Sequence, residues 1–548
     1  MKIQIKNKER LKEIFVFIIF IAITALLRPT SLSLANQVIF IAYSIIIFLF
    51  LRKMVKGNRQ DQEIHQIQES TRQSPQKNRF FKYLLFASIT TLIISRLLPF
   101  IHWGETPLGY DTGFYLMHIN LEDTTRTYSL FLILLKKIGF DPLTILQLTH
   151  VLLNLTIAGS LYILQKSISK NSETLIGIVS VFLFSVSIIQ FQSYWWMIAQ
   201  QNVAMSLLIL TIALLFTKPL LATIPLLSGI LIHIPTFIPF LLAIAIVIVI
   251  NLIKKIFFKT KLEKNILYLT IIIITVLTII IITQYDSLSY YIQYYIKEFQ
   301  FIATNLPSWK IQTAKGSFLD SSLVYYTNII IIPFAIFGLL KNHYKTTNQK
   351  ILIPTITIIL LALSYFPVIY QNRFAIILDL FLIVIASPQI LNLFTFLMQT
   401  KIKKTLLTVL VIFMLGQISL ISWLQPPQIT RAELSELKNI NLLAEKEARI
   451  LATDSIYTPW VYGFSNITTI GPGHMNDSWD LTDWIKFWTG KDYEEKQKLL
   501  KEYPHPLYIF IGDRQPEQEF KKFIKTDPSF IQVSQHIWKH MLQDVQSN

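Results

Sequence analysis

Long apolar blocks separated by short polar turns make up most of this chain. They fall at about Ile14–Leu27, Gln37–Leu51, Tyr83–Ile101, Pro142–Leu164, Leu175–Phe191, Val203–Phe216, Leu220–Ile234 and Phe237–Leu252. Five more follow at about Ile266–Thr283, Leu323–Leu340, Ile351–Tyr370, Phe374–Phe396 and Leu406–Leu424. About 20 apolar residues in a helix cross a bilayer core, so the pattern predicts about thirteen membrane spans. Tyr128–Ile138, ending in Lys136 and Lys137, is too short to cross and reads as an interfacial helix. Pro225, Pro235 and Pro239 interrupt the stretch 220–252, which reads either as two short spans or as one bent hairpin.

The pattern changes after Gln425. Arg431–Ala448 is helix-like, Arg449–Thr453 and Leu507–Ile511 read as buried strands, Gly471-Pro472-Gly473 marks a loop, and Asp492–Glu502 reads as another helix. The expected fold is an all-α polytopic membrane protein with a small external α/β domain. Its expected divisions are an N-terminal hairpin (1–51), a basic cytoplasmic linker (52–82), the membrane domain (83–424) and the α/β domain (425–548).

Composition supports the bilayer reading: 52% of the 548 residues are hydrophobic and 15% charged, with a mean hydropathy of +0.48. A soluble chain of this length could not bury that much apolar surface. No cysteine is present, which excludes disulfides and thiolate chemistry. The net charge of +17 does not indicate nucleic acid. The last 124 residues hold 14 Lys/Arg against 17 Asp/Glu, leaving +20 for the part before them, mostly in short loops. With the N-terminus inside, the groups Lys166/Lys170, Lys254/Lys255/Lys259, Lys341/Lys345/Lys350 and Lys401/Lys403/Lys404 all fall on the inner side, as topology signals do. The loops 101–127 and 284–322 and the C-terminal domain then face outward, at the surface of the cytoplasmic (plasma) membrane.

Candidate chemistry collects on that outer side. Gly109-Tyr110-Asp111-Thr112-Gly113-Phe114-Tyr115 places a carboxylate between two glycines in the first external loop. It reads either as an exposed turn residue or as a base acting on a lipid-carried substrate. Glu122 and Asp123 follow, and read as a capping pair for the next helix or as ligands, with Asp111, for a divalent cation (Mg or Mn). Arg373 is the one basic residue in the turn 371–373, against the inside bias, and suits a phosphate or a snorkelling role. His233 lies beside a helix break. Tyr194, Trp195, Trp196, Gln200 and Gln201 gather at another outer end, as an interfacial belt or a sugar platform. The Tyr-rich loop 284–322 reads as a lid, and Asp454, Trp460, Tyr462, His474, Asp477 and Asp480 cluster along the tail.

A first external loop carrying an Asp, then an interfacial helix and many further spans, resembles the GT-C superfamily of membrane glycosyltransferases. That superfamily includes protein O-mannosyltransferases, the aminoarabinose transferase of lipid A and oligosaccharyltransferase catalytic subunits. The likeness covers most of Tyr83–Leu424 and rests on architecture more than on the short motif. It implies a polyprenyl-phosphate-linked sugar donor, an acceptor hydroxyl on a lipid, glycan or protein, and inversion at the anomeric carbon. It carries the catalytic base onto Asp111 and the phosphate clamp onto Arg373. His233, Tyr110, Tyr115, Tyr194, Trp195, Trp196 and Gln200 become expected substrate contacts. The competing readings are a lipid-linked-oligosaccharide flippase or polysaccharide transporter, which predicts charges deep in several spans, and a non-catalytic envelope scaffold.

Overall fold

A computed structural model describes residues 75–104, 109, 111–120, 122, 127–258, 331–341, 343–365, 371–454, 456–472, 479, 481–515 and 519–541. It also describes isolated positions at 42, 44–49, 52, 278 and 289. The expected first span, residues 53–74 of the basic linker, the span near 266–283 apart from Thr278 and, Ser289 aside, the lid loop lie outside the described residues, whereas the end of the linker, 75–82, is helical and continuous with the next span.

The membrane part is helical. In chain order its helices are α1 Pro75–Trp103, α2 Thr112–Asn120, α3 Thr127–Lys137, α4 Pro142–Ile168, α5 Glu173–Val186, α6 Ile188–Trp195, α7 Ala199–Leu215, α8 Pro219–Ile232 and α9 Ile234–Phe258. Four more follow: α10 Ile331–Leu340, α11 Thr347–Tyr365, α12 Gln371–Leu397 and α13 Lys401–Leu424. Six helices among the described residues are long and apolar enough to cross a membrane, or seven if the bent pair α5 and α6 is one span. α7, α8 and α10 are shorter apolar helices. This is compatible with a multi-pass membrane protein.

Local signals account for several boundaries. Asp141 caps α4 by accepting the Thr144 amide at 2.9 Å, with Pro142 as the first helical residue. Such a cap stabilises a helix by about 1 kcal/mol. α8 and α9 part at His233, so the stretch 220–252 forms two helices. The larger departure from the sequence pattern is in the expected span 175–191. It breaks at Ser187, with a 56° bend between α5 and α6.

α12 is the centre of the bundle, with its apolar window wholly buried. It is apolar on every side, as a helix surrounded by other helices should be. The Gln165 amide donates to the Val384 carbonyl at 2.7 Å and Ser180 to Ser387 at 2.7 Å, tying α4 and α5 to it. α13 is the opposite case, with Leu406, Val409, Ile412 and Phe413 exposed along it, an arrangement compatible with lipid contact.

The C-terminal region forms a five-stranded sheet with helices around it: α14 Arg431–Leu443, β1 Arg449–Ala452, α15 Thr458–Phe464, β2 Thr468–Ile470, α16 Leu481–Thr489, α17 Tyr493–Lys501, β3 Leu507–Phe510, α18 Glu519–Thr526, β4 Phe530–Gln532 and β5 Ile537–His540. The strand order is β2-β1-β3-β5-β4. β1 runs parallel to both neighbours, with Leu451 opposite Ile470 and Ile509, and β5 is antiparallel to β3 and β4. Both anticipated strands are present, and β2, β4 and β5 are additional. A capping box starts α14: Thr430 accepts the Glu433 amide, and Glu433 accepts the Thr430 amide at 2.6 Å.

Candidate functional site

The segment Trp195–Gln201, where α6 gives way to α7, is the scaffold on which several of the residues singled out in the sequence meet. Gly109 has φ +78°, and a side chain there would run into the Trp195 carbonyl and come within 2.7 Å of Met197. Glycine is required on both counts. The Asp111 amide then donates to the Trp196 carbonyl at 3.2 Å, and the Asp111 carbonyl accepts the Tyr115 amide at 3.1 Å as α2 begins. Asp111 is half-buried where the loop turns into that helix. Tyr115 is buried, and its hydroxyl accepts the Gln200 amide at 3.1 Å, one of the first-turn donors of α7 that lack an intrahelical partner.

The next residue reaches the other way. Gln201 is buried, and its amide group donates to the Arg373 carbonyl at 2.9 Å, where α12 starts. Arg373 is half-buried and close enough to His233 for its charge to act on the imidazole, while His233 Nδ1 lies 2.8 Å from Thr236 Oγ1. Asp111, Tyr115, Gln200, Arg373 and His233 therefore belong to one connected assembly. Trp196 is half-buried within it.

Tyr194 and Trp195 are placed differently from the sugar platform that the sequence suggested. Both are fully buried. The Tyr194 hydroxyl donates to the Arg96 carbonyl, and its ring stacks on His150 at 5.0 Å. They face the bundle because the turn at 196–197 sends the chain back into it. Arg96 is the residue that sequence reasoning missed. It is fully buried in α1, under the rings of Phe191 at 5.3 Å and Tyr194 at 5.5 Å. Its Nη1 donates to Ser95 at 3.0 Å and its Nε to Asn154 at 3.4 Å, while Nη2 meets no partner among the described residues. A lone Arg inside an apolar run was the available signal.

Glu122 neither caps α3 nor offers a ligand beside Asp111. It is exposed, in the left-handed region at φ 51°, and its carboxylate pairs at 3.6 Å with Lys137, the last residue of α3. The end of α3 lies against the end of α2, where Lys136 Nζ also donates to the Ile119 carbonyl at 3.2 Å. Glu122 thus does not fit a cation shared with Asp111, and Asp123 and Tyr110 lie outside the described residues.

The C-terminal domain docks directly behind Asp111. α15 crosses α2 so closely that a side chain at Gly113 would overlap the Pro459 carbonyl, and one at Gly463 would overlap the Gly113 backbone. Phe464 packs beside Tyr115 and Leu116. A second tie joins the domain to α1: Trp103 donates to the Gln425 carbonyl at 2.9 Å, and Arg431 donates to the Trp103 carbonyl at 3.0 Å. Asp454 and Trp460 serve this arrangement, since Asp454 accepts the Ile456 amide at 2.8 Å ahead of α15 and Trp460 is buried against Phe464. His474, Asp477 and Asp480 are outside the described residues.

Glu433, Asp513 and His536 bring ligand-type atoms within 4.8 Å of one another, but their bonds are already made. Glu433 accepts the Thr430 and Asp513 amides, and His536 bridges Glu436 at 3.0 Å and Asp513 at 2.9 Å. Burial opposes charging of His536, but the hydrogen bonds and charges of Asp513 and Glu436 outweigh it and raise its pKa. A raised folded-state pKa stabilises the domain below the unfolded value of about 6.5 and stops doing so as pH rises through the folded value. The stability difference between wild type and His536→Gln, read by thermal unfolding, is therefore expected to be largest near pH 5.5 and to shrink by pH 8. A difference that grows with pH contradicts this account.

Fold and site together define a mostly helical protein, compatible with a multi-pass membrane protein, in which the start of α2 at Asp111 is held between the helical bundle and an α/β domain. No family model and no curated protein matches the chain.

Proposed function

We propose that this protein is a membrane glycosyltransferase, transferring a sugar from a polyprenyl-phosphate-linked donor to an acceptor hydroxyl at the outer membrane face. In this reading about thirteen spans thread the membrane from a cytoplasmic N-terminus. The observation that carries it is the double attachment of the Trp195–Gln201 segment, to the Asp111 loop on one side and to Arg373 on the other. A base and a phosphate clamp need that relation if an acceptor is to attack a carbon whose leaving group is the carrier phosphate.

Asp111 takes the acceptor proton as the oxygen attacks the anomeric carbon. Arg373 binds the phosphate that leaves, through a charge-assisted fork. His233 and Trp196 border the donor, and Tyr115 and Gln200 hold the loop and helix in register. Tyr194 and Trp195 support from behind. No step is routed through a divalent cation.

The test is transfer by the purified protein in vesicles containing a polyprenyl-phosphate-linked sugar. Arg373→Ala is expected to lower kcat/KM for the donor about 10- to 100-fold, the value of a charged hydrogen-bonded contact of about 1.5–3 kcal/mol, with Arg373→Lys in between. Full activity in Arg373→Ala removes the clamp. A second reading, a lipid-linked-sugar transporter, draws on the ionisable residues Arg96, His150 and Asp379 buried within spans and on the break at Ser187. It predicts movement of labelled lipid-linked sugar between leaflets with no transferred product.

A further inference from the structure

Asp379 lies in α12, six residues inside Arg373, hence about 9 Å along the helix from the outer mouth. It is fully buried. One carboxylate oxygen, Oδ2, accepts two hydrogen bonds, from the Ser187 hydroxyl at 2.8 Å and from the Gln190 side-chain amide at 2.9 Å. The other, Oδ1, has no partner among the described residues. Both donors are neutral, so among the described residues nothing that touches Asp379 balances a negative charge. The charged and titratable groups on the elements packed against α12 lie elsewhere: His150, Tyr162 and Lys166 in α4, Glu173 at the start of α5, His343 against Gln389, Lys350 in the first turn of α11, Tyr365 at its end, Tyr194 in α6, and Lys401, Lys403 and Lys404 at the start of α13. On α12 itself there is Arg373.

The contact point coincides with a helix break. Ser187 joins α5 to α6 at the 56° bend. A helix that stops there ends its regular amide pairing, with the Ser187 amide turning back to the Phe184 carbonyl at 3.3 Å, and presents the negative end of its dipole. A buried carboxylate with an open oxygen, beside a hydroxyl and the carbonyl end of a helix, offers hard oxygens to a cation, and an uncompensated negative charge at that depth is unfavourable.

We propose that Asp379 and the α5–α6 break form a buried binding site for a monovalent cation, sodium or a proton, held on Oδ1. This does not depend on the transfer reaction. An ion there fixes the bend at Ser187, and so the approach of α6 to the segment that holds Asp111 and Arg373.

The experiment is thermal unfolding of the full-length protein in nanodiscs, for wild type and Asp379→Asn. Sodium, potassium and N-methylglucamine chlorides are compared at fixed ionic strength, and each is run from pH 5.5 to 8.5. If sodium is the ion, the wild-type Tm rises saturably with sodium alone, by about 2 °C or more. If the proton is the ion, Tm ignores sodium and falls as pH rises. In either case Asp379→Asn, which keeps both hydrogen bonds to a neutral group, removes the wild-type response. Should that variant not fold, Ser187→Ala retains the carboxylate and shifts the midpoint of the response several-fold. Equal sodium and pH responses in wild type and in the folded variants overturn the site.

Discussion

Replacing Asp111 by Asn is expected to cut sugar transfer in vesicles by about 10²- to 10⁴-fold, the usual worth of a positioned general base. The fold should survive, because two of the bonds that locate residue 111 are made by its backbone. Its amide donates to Trp196 and its carbonyl accepts from Tyr115, and neither depends on the carboxylate. The loss should therefore appear in kcat, with donor KM and Tm close to wild type. Arg373→Ala in the same assay should instead raise donor KM. That split distinguishes a base from a clamp, and wild-type transfer by Asp111→Asn removes Asp111 from the mechanism.

Hydropathy made the bundle legible because span length is set by the bilayer, and the described parts of α1, α4, α9, α11, α12 and α13 lie close to where the apolar blocks fall. The same smoothing concealed what matters for the site. Ser187 sits in an apolar run, so a window over 175–191 averages through a 56° break. Arg96 disappeared in the same way, one charge in an apolar span that is stabilised by aromatic faces and two polar neighbours. The edge strands β2 and β4 have three residues each, too few for an alternation to register.

Asp111, Arg373 and His233 were visible because the expected topology put all three on one side, opposite the Lys-rich turns, where charged and titratable groups between spans are few. What joins them was not visible. Gln200 contributes a backbone amide and Gln201 a side chain to opposite partners, and only the fold specifies which faces which. Tyr194 and Trp195 show the converse: aromatic residues near an interface invite a belt or a platform, and the turn at Trp196–Met197 turns these two inward.

Gly113→Ala is expected to separate the C-terminal domain from the Asp111 loop. In sequence the two glycines of the loop look alike, as points of backbone freedom. Gly109 needs a left-handed φ, but Gly113 is helical, and its missing side chain is what lets α15 approach. The added methyl meets the Pro459 carbonyl, which is backbone and has no rotamer to yield, with the Trp460 nitrogen 2.9 Å away on the same side. Overpacking of this kind costs about 1–3 kcal/mol. The helices must part to relieve it, so hydrogen exchange should accelerate in both α2 and α15, and transfer should fall because Asp111 begins at α2. Gly463→Ala should behave alike from the other side. The double variant should cost less than the sum of the two, because once the helices are apart the second methyl has nothing to strike. Gly416→Ala is the control: that glycine is exposed in α13 with open space around its α-carbon, so alanine should be neutral or stabilising through helix propensity. If Gly113→Ala matches Gly416→Ala in exchange, Tm and transfer, the C-terminal domain does not hold the loop.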